Sequence, residues 1–248
     1  MKPKAPAVDA EAIAAIVPTL NEGARIGKLI DSLERAGIDE IIVADGGSAD
    51  DTLALCSGRA NVATLTSPKG RGAQITAGAN AAQAPILWIV HADSAPPANA
   101  GDLIRKTLRD PSVALGCFRL SFDDRHPLLS LYAFASRIDS AATTFGDQGF
   151  FMRRADYESV GGAPAWPLFE DVELRRRLRP RGAVAKLDAP LITSARRFRL
   201  RGVARQQILN GWLLFRFWTG APPDALAKIY EGVTRAGKRR SSRDRPLS

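Results

Sequence analysis

The stretch IIVADGGSADDT, from Ile41 to Thr52, constrains the fold of this chain more than any other. It begins with apolar, mostly β-branched residues, as is typical of a strand buried on both faces of a parallel sheet. Asp45 follows at once, and Gly46 and Gly47 then permit a sharp turn. The stretch therefore predicts a strand that delivers a carboxylate to its C-terminal end, where open α/β sheets bind ligands. Alone, it leaves two interpretations of Asp45: a ligand-binding acid, or an acid that bonds loop amides.

Strands alternate with helices over the first 90 residues. Four apolar residues between Ile26 and Leu33 recur at helical spacing, and Gly37 ends that helix. The first strand is expected to stop at Pro18. Other segments predict strands at 13–17, 41–44, 62–65 and 86–90 and helices at 52–57 and 73–82. This alternation predicts an α/β fold with a doubly wound, mostly parallel sheet that is flanked by helices and joined by right-handed crossovers.

The second half of the chain is less regular. Its patterns predict a helix at 98–109, a strand at 114–121, an amphipathic segment at 128–138, a loop at 145–149 and a helix at 170–178. The charges of the last helix predict ion pairs four residues apart, between Asp171 and Arg175 and between Glu173 and Arg177.

Charge and cysteine content limit the possible partners and settings. The chain has 248 residues, 45% of them hydrophobic, and its net charge of +9 favours phosphate-rich ligands, anionic lipid surfaces or nucleic acid. Cys56 and Cys117 are the only cysteines, which argues against a disulfide framework and a cysteine-based zinc site. The N-terminus has no signal core, and no stretch reaches the roughly 18 uncharged apolar residues of a membrane span. We expect a cytoplasmic protein that is soluble or peripheral to a membrane.

Four polar motifs each follow a predicted strand: PTLNE at 18–22, DGGS at 45–48, KGRG at 69–72 and HAD at 91–93. Because the carboxyl ends of parallel strands share one edge of a sheet, we expect the motifs to converge there. A nucleotide needs an acceptor for its base or ribose, amides and a cation for its diphosphate, and often a divalent metal held by carboxylate. Asp45, the 69–72 loop and Asp93 are candidates for these tasks in turn.

The HAD motif is the predicted metal site. Asp93 is the natural ligand for Mg²⁺ or Mn²⁺, with diphosphate oxygens and water in the remaining positions. His91 has two interpretations, as a ligand for Mn²⁺ or as a histidine that packs or hydrogen-bonds at the end of a strand.

Glu170 and Asp171 stand at the entry to the last predicted helix. Acids in a first turn complement the helix dipole in any case. Just upstream, Gly161, Gly162 and Trp166 belong to a loop able to place aromatic surface beside a sugar ring. In that context either acid is a candidate general base that deprotonates an acceptor hydroxyl.

In this order, the motifs resemble those of the family 2 glycosyltransferases, which have a GT-A fold. The resemblance extends from about residue 13 to about residue 230 and is carried by VPTLNE, VADGGSADDT, KGRGAQ, the HAD variant of the family's DXD element, GDQGFFMRR and FEDVEL. Within the family, the chain looks most like the small, single-domain bacterial members. The resemblance implies transfer of a sugar from a nucleotide-diphospho-sugar, most commonly a UDP-sugar, to an unidentified acceptor hydroxyl. It also implies inversion, a carboxylate base and a divalent metal, Mg²⁺ or Mn²⁺.

The resemblance further implies roles for individual residues. Asp171 matches the base, with Glu170 beside it, and Asp93 with His91 matches the metal site. The residues implied at the nucleotide-sugar are Pro18, Thr19, Leu20, Asn21, Glu22, Asp45, Gly46, Lys69, Gly70, Arg71, Gly72, Gln74, Ala92 and Asp93. Those at the sugar or the acceptor are Asp147, Gln148 and Gly149, to which we add Trp166 from the aromatic loop.

The chain departs from the family pattern at two places. A histidine replaces the first acid of the DXD element, and no histidine follows His126 to serve as the later metal ligand of some GT-A enzymes. Because guanidinium pairs well with phosphate, we expect Arg196 or Arg197 to contact the diphosphate directly.

We expect a flexible N-terminus over 1–12, one glycosyltransferase domain over 13–232 and a basic disordered tail over 233–248. The domain divides into a nucleotide-binding half, 13–95, and an acceptor half, 96–232. Within the acceptor half, the aromatic segment between Gln206 and Tyr230 has two interpretations. It is an interfacial helix on an anionic membrane or an ordinary helix that covers the core.

Two other functions compete with glycosyl transfer. A sugar-phosphate nucleotidyltransferase shares the sheet architecture but normally has a glycine- and arginine-rich loop after its first strand, where this chain has PTLNE. A nucleic-acid-binding protein fits the charge, but the basic residues lack the interleaved aromatic residues of an RNA-binding sheet. We therefore expect no specific nucleic acid partner, and the oligomeric state stays open.

Overall fold

The computed structural model describes residues 9–232. The predicted tail over 233–248 and residues 1–8 of the predicted flexible N-terminus lie outside the described residues. The strands of the described range are β1 Ile13–Thr19, β2 Glu40–Asp45, β3 Val62–Thr66, β4 Ile86–Ile89, β5 Ser94–Ala95, β6 Val113–Phe122, β7 Phe151–Arg153 and β8 Ala183–Thr193. They form one sheet in the order β3-β2-β1-β4-β7-β6-β8-β5.

The sheet is mostly parallel, as predicted. β1 pairs in parallel with β2 and β4, β2 with β3, and β6 with β8. β7 is antiparallel to both of its neighbours, and β5 is antiparallel to β8. The loops that follow β1, β2 and β4 therefore leave the sheet at the same edge.

Helices cover both faces of this sheet. They are α1 Gly23–Arg35, α2 Arg71–Ala81, α3 Ala100–Leu108, α4 Pro127–Ala135, α5 Arg154–Ser159, α6 Glu170–Leu178, α7 Arg196–Arg201 and α8 Val203–Trp218; α9 denotes the helical residues 223–232. Successive residues of a strand point to opposite faces. Ile13, Ala15 and Val17 of β1 accordingly pack in the cluster that contains α1 and α3, and Ala14 and Ile16 pack with α2 and α6. The predicted doubly wound α/β architecture is confirmed.

The predicted end of β1 at Pro18 is wrong, because the strand continues to Thr19. On one side, the carbonyl of Ile16 accepts a hydrogen bond from the N–H of Val90. On the other side, the carbonyl of Thr19 accepts from the N–H of Gly46, beyond the end of β2. Since residues of a parallel strand alternate between neighbours, Pro18 faces β4, which has already ended at this level. The proline therefore leaves no ladder bond unmade.

The predicted helix at 52–57 is wrong, because only a 3₁₀ turn at Ala54–Cys56 forms there. Asp50 accepts hydrogen bonds from the backbone N–H groups of Thr52 and of Gly23. These bonds tie the segment to the start of α1. Gly58 then turns the chain with a φ of +79°, so that it reaches β3 within a few residues.

Two further corrections concern the second half of the chain. The sequence patterns do not identify β7, which is very short, or β8, which contains Lys186, Asp188 and Pro190 and pairs with β6 through a shift in register. The predicted ion pair between Asp171 and Arg175 is also wrong, because Arg175 pairs with Asp139.

The distance from the Arg175 guanidinium to Asp139 is 2.6 Å. The other predicted pair is confirmed, with 2.8 Å between Arg177 Nε and Glu173 Oε1. Cys56 and Cys117 are buried and form no disulfide. None of the helices within residues 9–232 combines the length and apolar character needed to cross a bilayer.

Two helical glycines provide a test of this packing. A Cβ on Gly78 in α2 would lie 2.5 Å from Cγ2 of the fully buried Ile16, whereas a Cβ on Gly27 in α1 would meet nothing within 4 Å. We expect Gly78→Ala to lower the free energy of unfolding by about 1–3 kcal/mol, because the core is already filled. Gly27→Ala, the matched control, should raise it by up to about 1 kcal/mol through helix propensity. Urea unfolding of both variants measures the difference, and equal effects would contradict the packing of α2 on β1.

Candidate functional site

The loops after β1 and β2 are joined by hydrogen bonds. The backbone N–H of Asn21 donates to Ser48 Oγ over 2.8 Å, and the N–H of Ala49 donates to Asn21 Oδ1 over 2.9 Å. Asn21 has a φ of 55°, a left-handed conformation that asparagine tolerates better than most residues. The N–H of Glu22 also donates to Thr52 Oγ1 over 2.9 Å. The predicted 18–22 and 45–48 motifs thus form one connected rim at the edge of the sheet.

Asp45 supports this rim. Its side chain is buried, and Oδ2 accepts hydrogen bonds from the N–H of Gly47 over 2.9 Å and from the N–H of Ser48 over 2.8 Å. These contacts correspond to the second interpretation of Asp45, as an acid that bonds loop amides. Binding of a nucleoside by Asp45 stays a prediction.

Gln74 reaches the same edge from α2. Its Nε2 donates to the carbonyl of Thr19 over 2.6 Å and to that of Ala44 over 2.8 Å. The side chain is buried and cross-links the ends of β1 and β2. In this arrangement its amide nitrogen supports the backbone beneath the rim.

The 69–72 loop brings α2 against the loop around Trp166. The N–H of Gly72 donates to the carbonyl of Trp166 over 3.0 Å. A Cβ on Gly72 would lie only 2.0 Å from the carbonyl oxygen of Pro164, so that only glycine permits this approach. Gly70 precedes α2 with a φ of 137°, and Lys69 lies on the surface, 3.2 Å from Glu231.

A cavity of about 370 Å³ lies beside this rim. It brings together six of the predicted site residues, namely Arg71, His91, Asp93, Asp147, Asp171 and Arg197. The remaining predicted residues do not line it; they are Pro18, Thr19, Leu20, Asn21, Glu22, Asp45, Gly46, Lys69, Gly70, Gly72, Gln74, Ala92, Gln148, Gly149, Trp166, Glu170 and Arg196. The charged lining comes from both halves of the chain, which meet at the cavity.

Asp171 is held in place by the 3₁₀ turn Gly146–Gln148. Its Oδ2 accepts a hydrogen bond from the N–H of Gly146 over 2.6 Å, and its Oδ1 accepts from the N–H of Val172 over 2.9 Å. A Cβ on Gly146 would lie 2.9 Å from that of Asp171, so the close approach needs glycine. This contact explains why Asp171 does not pair with Arg175.

Glu170 turns away from the cavity and pairs with Arg71. The distance from Arg71 Nε to Glu170 Oε1 is 2.8 Å, and Glu170 is 1% exposed. Burial raises the pKa of Glu170 to about 7, although the charge of Arg71 acts in the opposite direction. Burial disfavours the charge of Arg71, but Glu170 and Asp171 outweigh this effect and raise its pKa above the ordinary value.

Asp147 is the second carboxyl group of the site with a raised pKa. Burial, together with the nearby charge of Asp171, raises it to about 7, while Arg71 and Lys186 act to lower it. Asp147 Oδ1 and Glu170 Oε2 are buried and have no hydrogen-bond partner among the described residues. With a pKa of about 7, the Asp147 carboxyl group is present in both its protonated and its ionised form at neutral pH.

His91 is neutral in this environment. Burial, with the charges of Arg71 and Arg197, lowers its pKa to about 3. A neutral imidazole offers a lone pair, and His91 lines the cavity together with Asp93. Imidazole and carboxylate make a donor set that fits Mn²⁺ when the ligand completes the shell. Within residues 9–232, no group of three or more His, Cys, Asp or Glu side chains is placed to hold a metal ion alone.

Gln148 and Gly149 lie beneath the cavity. Gln148 is fully buried, where its Oε1 accepts from Lys186 Nζ over 2.6 Å and its Nε2 donates to the carbonyl of Thr143 over 2.6 Å. Gly149 has a φ of 66°, and a Cβ there would lie 2.9 Å from the indole nitrogen of Trp88. Both residues support the 3₁₀ turn that carries Asp147.

Arg196 and Arg197 differ in their surroundings. Arg197 lines the cavity, whereas Arg196 lies 3.8 Å from Glu22 on the rim. The indole of Trp166 packs against Phe217 of α8, with ring centroids 6.1 Å apart. The aromatic loop is thus covered by α8.

Several lining residues were not predicted from the sequence. They include Phe122, Tyr132, Phe145, Phe198, Gln206, Gln207 and Asn210. The polar residues Gln206, Gln207 and Asn210 interrupt an otherwise apolar helix at spacings of one to four, which is a signal for a polar face. The aromatic residues carry no such signal, because aromatic residues of this kind also fill ordinary cores.

Comparisons with known proteins identify relatives of this arrangement. A family model described as Glycosyl transferase family 2 matches residues 14–161, more than half of the chain. A search of the curated proteins found no match to this sequence. The match ends before α6, so the acid pair at its start lies outside it.

Solved structures resemble this fold. The crystal structure of S. aureus TarS 1-349 in complex with UDP has a TM-score of 0.62 and 16% identity and covers 74% of this chain, which spans 60% of that structure. This chain spans 36% of a longer S. aureus TarS structure, with a TM-score of 0.62 and 17% identity.

Glucosyl-3-phosphoglycerate synthase from Mycobacterium tuberculosis, in complex with Mn²⁺, UDP and glucosyl-3-phosphoglycerate, has a TM-score of 0.56 and 20% identity. The aligned region covers 72% of this chain and 70% of the synthase. At these identities the likeness shows the fold, and it confirms the predicted GT-A architecture.

The pKa of Glu170 predicts a pH dependence of stability. Between its ordinary value of 4.5 and its value of about 7, the folded protein holds a proton that the unfolded chain has released. The contribution of this group to stability is therefore full below pH 4.5 and is lost as the pH rises to about 7. We expect the stability of Glu170→Gln relative to wild type to increase across this window, as measured by urea unfolding.

Glu173→Gln is the matched control on the same helix. Its hydrogen bonds with Arg176, joined by Arg177, lower the pKa of Glu173, so its contribution is present above the ordinary pKa and is lost only at lower pH. The stability difference between this variant and wild type should be flat where that of Glu170→Gln changes. Parallel curves for Glu170→Gln and wild type would contradict the raised pKa.

Proposed function

The chain belongs to glycosyl transferase family 2, and from this premise we propose that it transfers a sugar from a UDP-sugar to a hydroxyl acceptor with inversion. The observation that carries the proposal is the cavity in which three acids, Asp93, Asp147 and Asp171, meet two cations, Arg71 and Arg197. Such a transfer needs a base for the acceptor, positive charge for the leaving diphosphate and a closed pocket between them.

Asp171 is the proposed general base. It lines the cavity, and the N–H of Gly146 fixes its carboxylate. In an inverting reaction the acceptor oxygen attacks the anomeric carbon from the face opposite the leaving diphosphate, while Asp171 takes its proton. Glu170 is assigned a different task, because its ion pair holds Arg71 at the cavity wall. Glu170 is thus a positioning residue for that cation.

Arg71 and Arg197 are the proposed contacts of the donor diphosphate. Guanidinium groups match phosphate geometry and stay charged throughout the reaction. The rim formed by the 18–22 and 45–48 loops would hold the nucleoside, with Arg196 at its border. UDP is the proposed nucleotide because TarS and glucosyl-3-phosphoglycerate synthase, which share the fold, have been crystallised with UDP.

His91 and Asp93 are the residues that would hold a divalent metal, with Mn²⁺ favoured by the imidazole. When bound, the metal would stabilise negative charge on the leaving diphosphate. Asp147, whose pKa is raised to about 7 mainly by burial, would donate a hydrogen bond to a sugar or acceptor oxygen.

The proposal treats 13–232 as one domain, with its nucleotide-binding half at 13–95 and its acceptor half at 96–232. A cytoplasmic location is part of the proposal because both cysteines are free. The two competing functions have no such support: PTLNE occupies the end of β1 and the loop that follows it, and the family match is to glycosyltransferases.

A thermal-shift panel of UDP-, GDP-, dTDP- and CDP-sugars, with and without Mn²⁺, tests the donor site. A ligand at about 100 times its dissociation constant stabilises the folded state by roughly 2.7 kcal/mol, which is readily measured. We expect a UDP-sugar to raise the melting temperature, and Mn²⁺ to increase that shift. Asp93→Ala should lose the Mn²⁺-dependent part, and Arg197→Ala should weaken donor binding roughly tenfold or more.

Asp102→Ala and Arg199→Ala are the matched controls. Asp102 is an exposed acid on α3, and Arg199 pairs with Asp123 and Asp124 and does not line the cavity. Both controls should keep the wild-type shifts. Wild-type shifts in Asp93→Ala and Arg197→Ala as well would contradict this donor site.

Asp171→Asn tests the base. We expect the turnover number to fall by roughly 10²–10⁴-fold, because the amide cannot take the acceptor proton. The dissociation constant of the donor should stay close to wild type. Hydrolysis of the donor, with water in place of the acceptor, provides the assay before the acceptor is identified.

Glu173→Gln serves again as the matched control, since Glu173 lies on the same helix but pairs with Arg176 and Arg177. It should keep the wild-type turnover number. Wild-type turnover by Asp171→Asn would remove Asp171 as the base, whatever the control shows.

A further inference from the structure

α8 presents two different faces. One face lines the cavity through Gln206, Gln207, Asn210, Gly211, Leu213 and Leu214. The other face exposes Ile208, Trp212, Phe215 and Trp218, with exposed fractions of 72%, 43%, 59% and 52%. Their spacings of four, three and three residues keep them on one side of the helix. A helix that walls the cavity thus carries an uncovered apolar stripe.

α4 and the residues that follow it repeat this pattern. Leu128, Leu131, Phe134 and Ile138 recur at helical spacing and are 41%, 63%, 61% and 62% exposed. On its other sides α4 contributes Tyr132 to the cavity and packs Leu129 beneath α7. α4 and α8 contact each other. We refer to these eight exposed residues of the two helices as the α4/α8 surface.

Arginines flank the α4/α8 surface. α8 contains Arg205 and Arg216 and no Asp or Glu, and residues 125–138 contain Arg125 and Arg137 and no Asp or Glu. Arg137 lies over the ring of Phe134 at 5.6 Å, and Arg216 lies over that of Trp212 at 5.7 Å. The exposed aromatic rings therefore stand directly beside exposed cations.

We propose that the α4/α8 surface docks this protein onto an anionic lipid bilayer. Exposed Trp, Phe and Leu residues with flanking arginines have the composition of helices that lie in the membrane interface. The positive charge also favours a bilayer over a second copy of the chain as the partner of this surface. In a symmetric dimer each cationic surface would meet its own like charges, whereas anionic headgroups attract them.

Docking has a consequence for the acceptor. The two helices that touch the bilayer also wall the cavity, so that an amphiphile with a hydroxyl headgroup is the acceptor class available there. This consequence, unlike docking itself, rests on the proposed glycosyl transfer. Docking is therefore measured without donor or acceptor, and also on Asp171→Asn. The docking result can then be interpreted even if the proposed glycosyl transfer is wrong.

Vesicle flotation of the full chain tests the proposal. We expect binding to phosphatidylcholine vesicles that contain about one-third phosphatidylglycerol, and weaker binding at high salt or to phosphatidylcholine alone. Combining Phe134→Gln and Phe215→Gln should weaken binding roughly tenfold or more, because both apolar rings leave the interface. Arg205→Gln should weaken it about fivefold, the loss expected for one cation near the surface.

Matched controls separate docking from general effects. Leu55→Gln removes an apolar residue that is 46% exposed on the 3₁₀ turn Ala54–Cys56, away from the α4/α8 surface, and Lys106→Gln removes an exposed cation on α3. Both should bind vesicles as wild type does, and all variants should keep the wild-type melting temperature. Equal losses in Leu55→Gln, or no vesicle binding by wild type, would overturn the proposal.

Sedimentation velocity tests the alternative partner of the α4/α8 surface, a second copy of the chain. We expect the protein to bind vesicles without a dimer that depends on Phe134 and Phe215. A dimer that the double substitution dissociates, together with no binding to anionic vesicles, would show that the α4/α8 surface joins two copies of the chain and would overturn bilayer docking.

Discussion

β2, β1 and β4 lie side by side as parallel strands with almost every side chain buried. Their carboxyl ends share one edge, so the loops that follow them must meet there. Hydrogen bonds from Asn21 to Ser48 and from Gln74 to the carbonyls of Thr19 and Ala44 then hold that edge together. The cavity and the proposed donor site both depend on this arrangement, because it sets where their polar groups stand.

The buried ion pair between Arg71 and Glu170 connects this edge to the second half of the chain. It joins the start of α2 to the start of α6, and it separates the tasks of two adjacent acids. Glu170 pairs with Arg71 and orients it. Asp171 lines the cavity, where its carboxylate accepts a hydrogen bond from the N–H of Gly146. Adjacent residues at a helix start point in different directions, so a two-residue motif supplies both a support for Arg71 and the proposed base.

The first half of the fold was largely predictable, because strands buried on both faces leave continuous apolar runs. The exceptions, in this half and in the second, arose where long-range contacts outweigh local signals. Pro18 continues β1 because its neighbour has ended, and β8 forms through pairing with β6 despite Lys186 and Pro190. In the site, sequence order alone grouped Gln148 with Asp147, but their side chains point to opposite sides of the turn, one into Lys186 and one into the cavity.

The sequence by itself determined the doubly wound sheet, the family and the identity of the acids and arginines that meet at the edge, since these follow from apolar periodicity and from motifs in order. Only the tertiary structure decided which of those residues share a cavity and which support it. It also decided the raised pKa values of Asp147 and Glu170 and the uncovered apolar stripes of α4 and α8. Burial and contact depend on packing between distant segments, and no local pattern in the chain records how those segments come together.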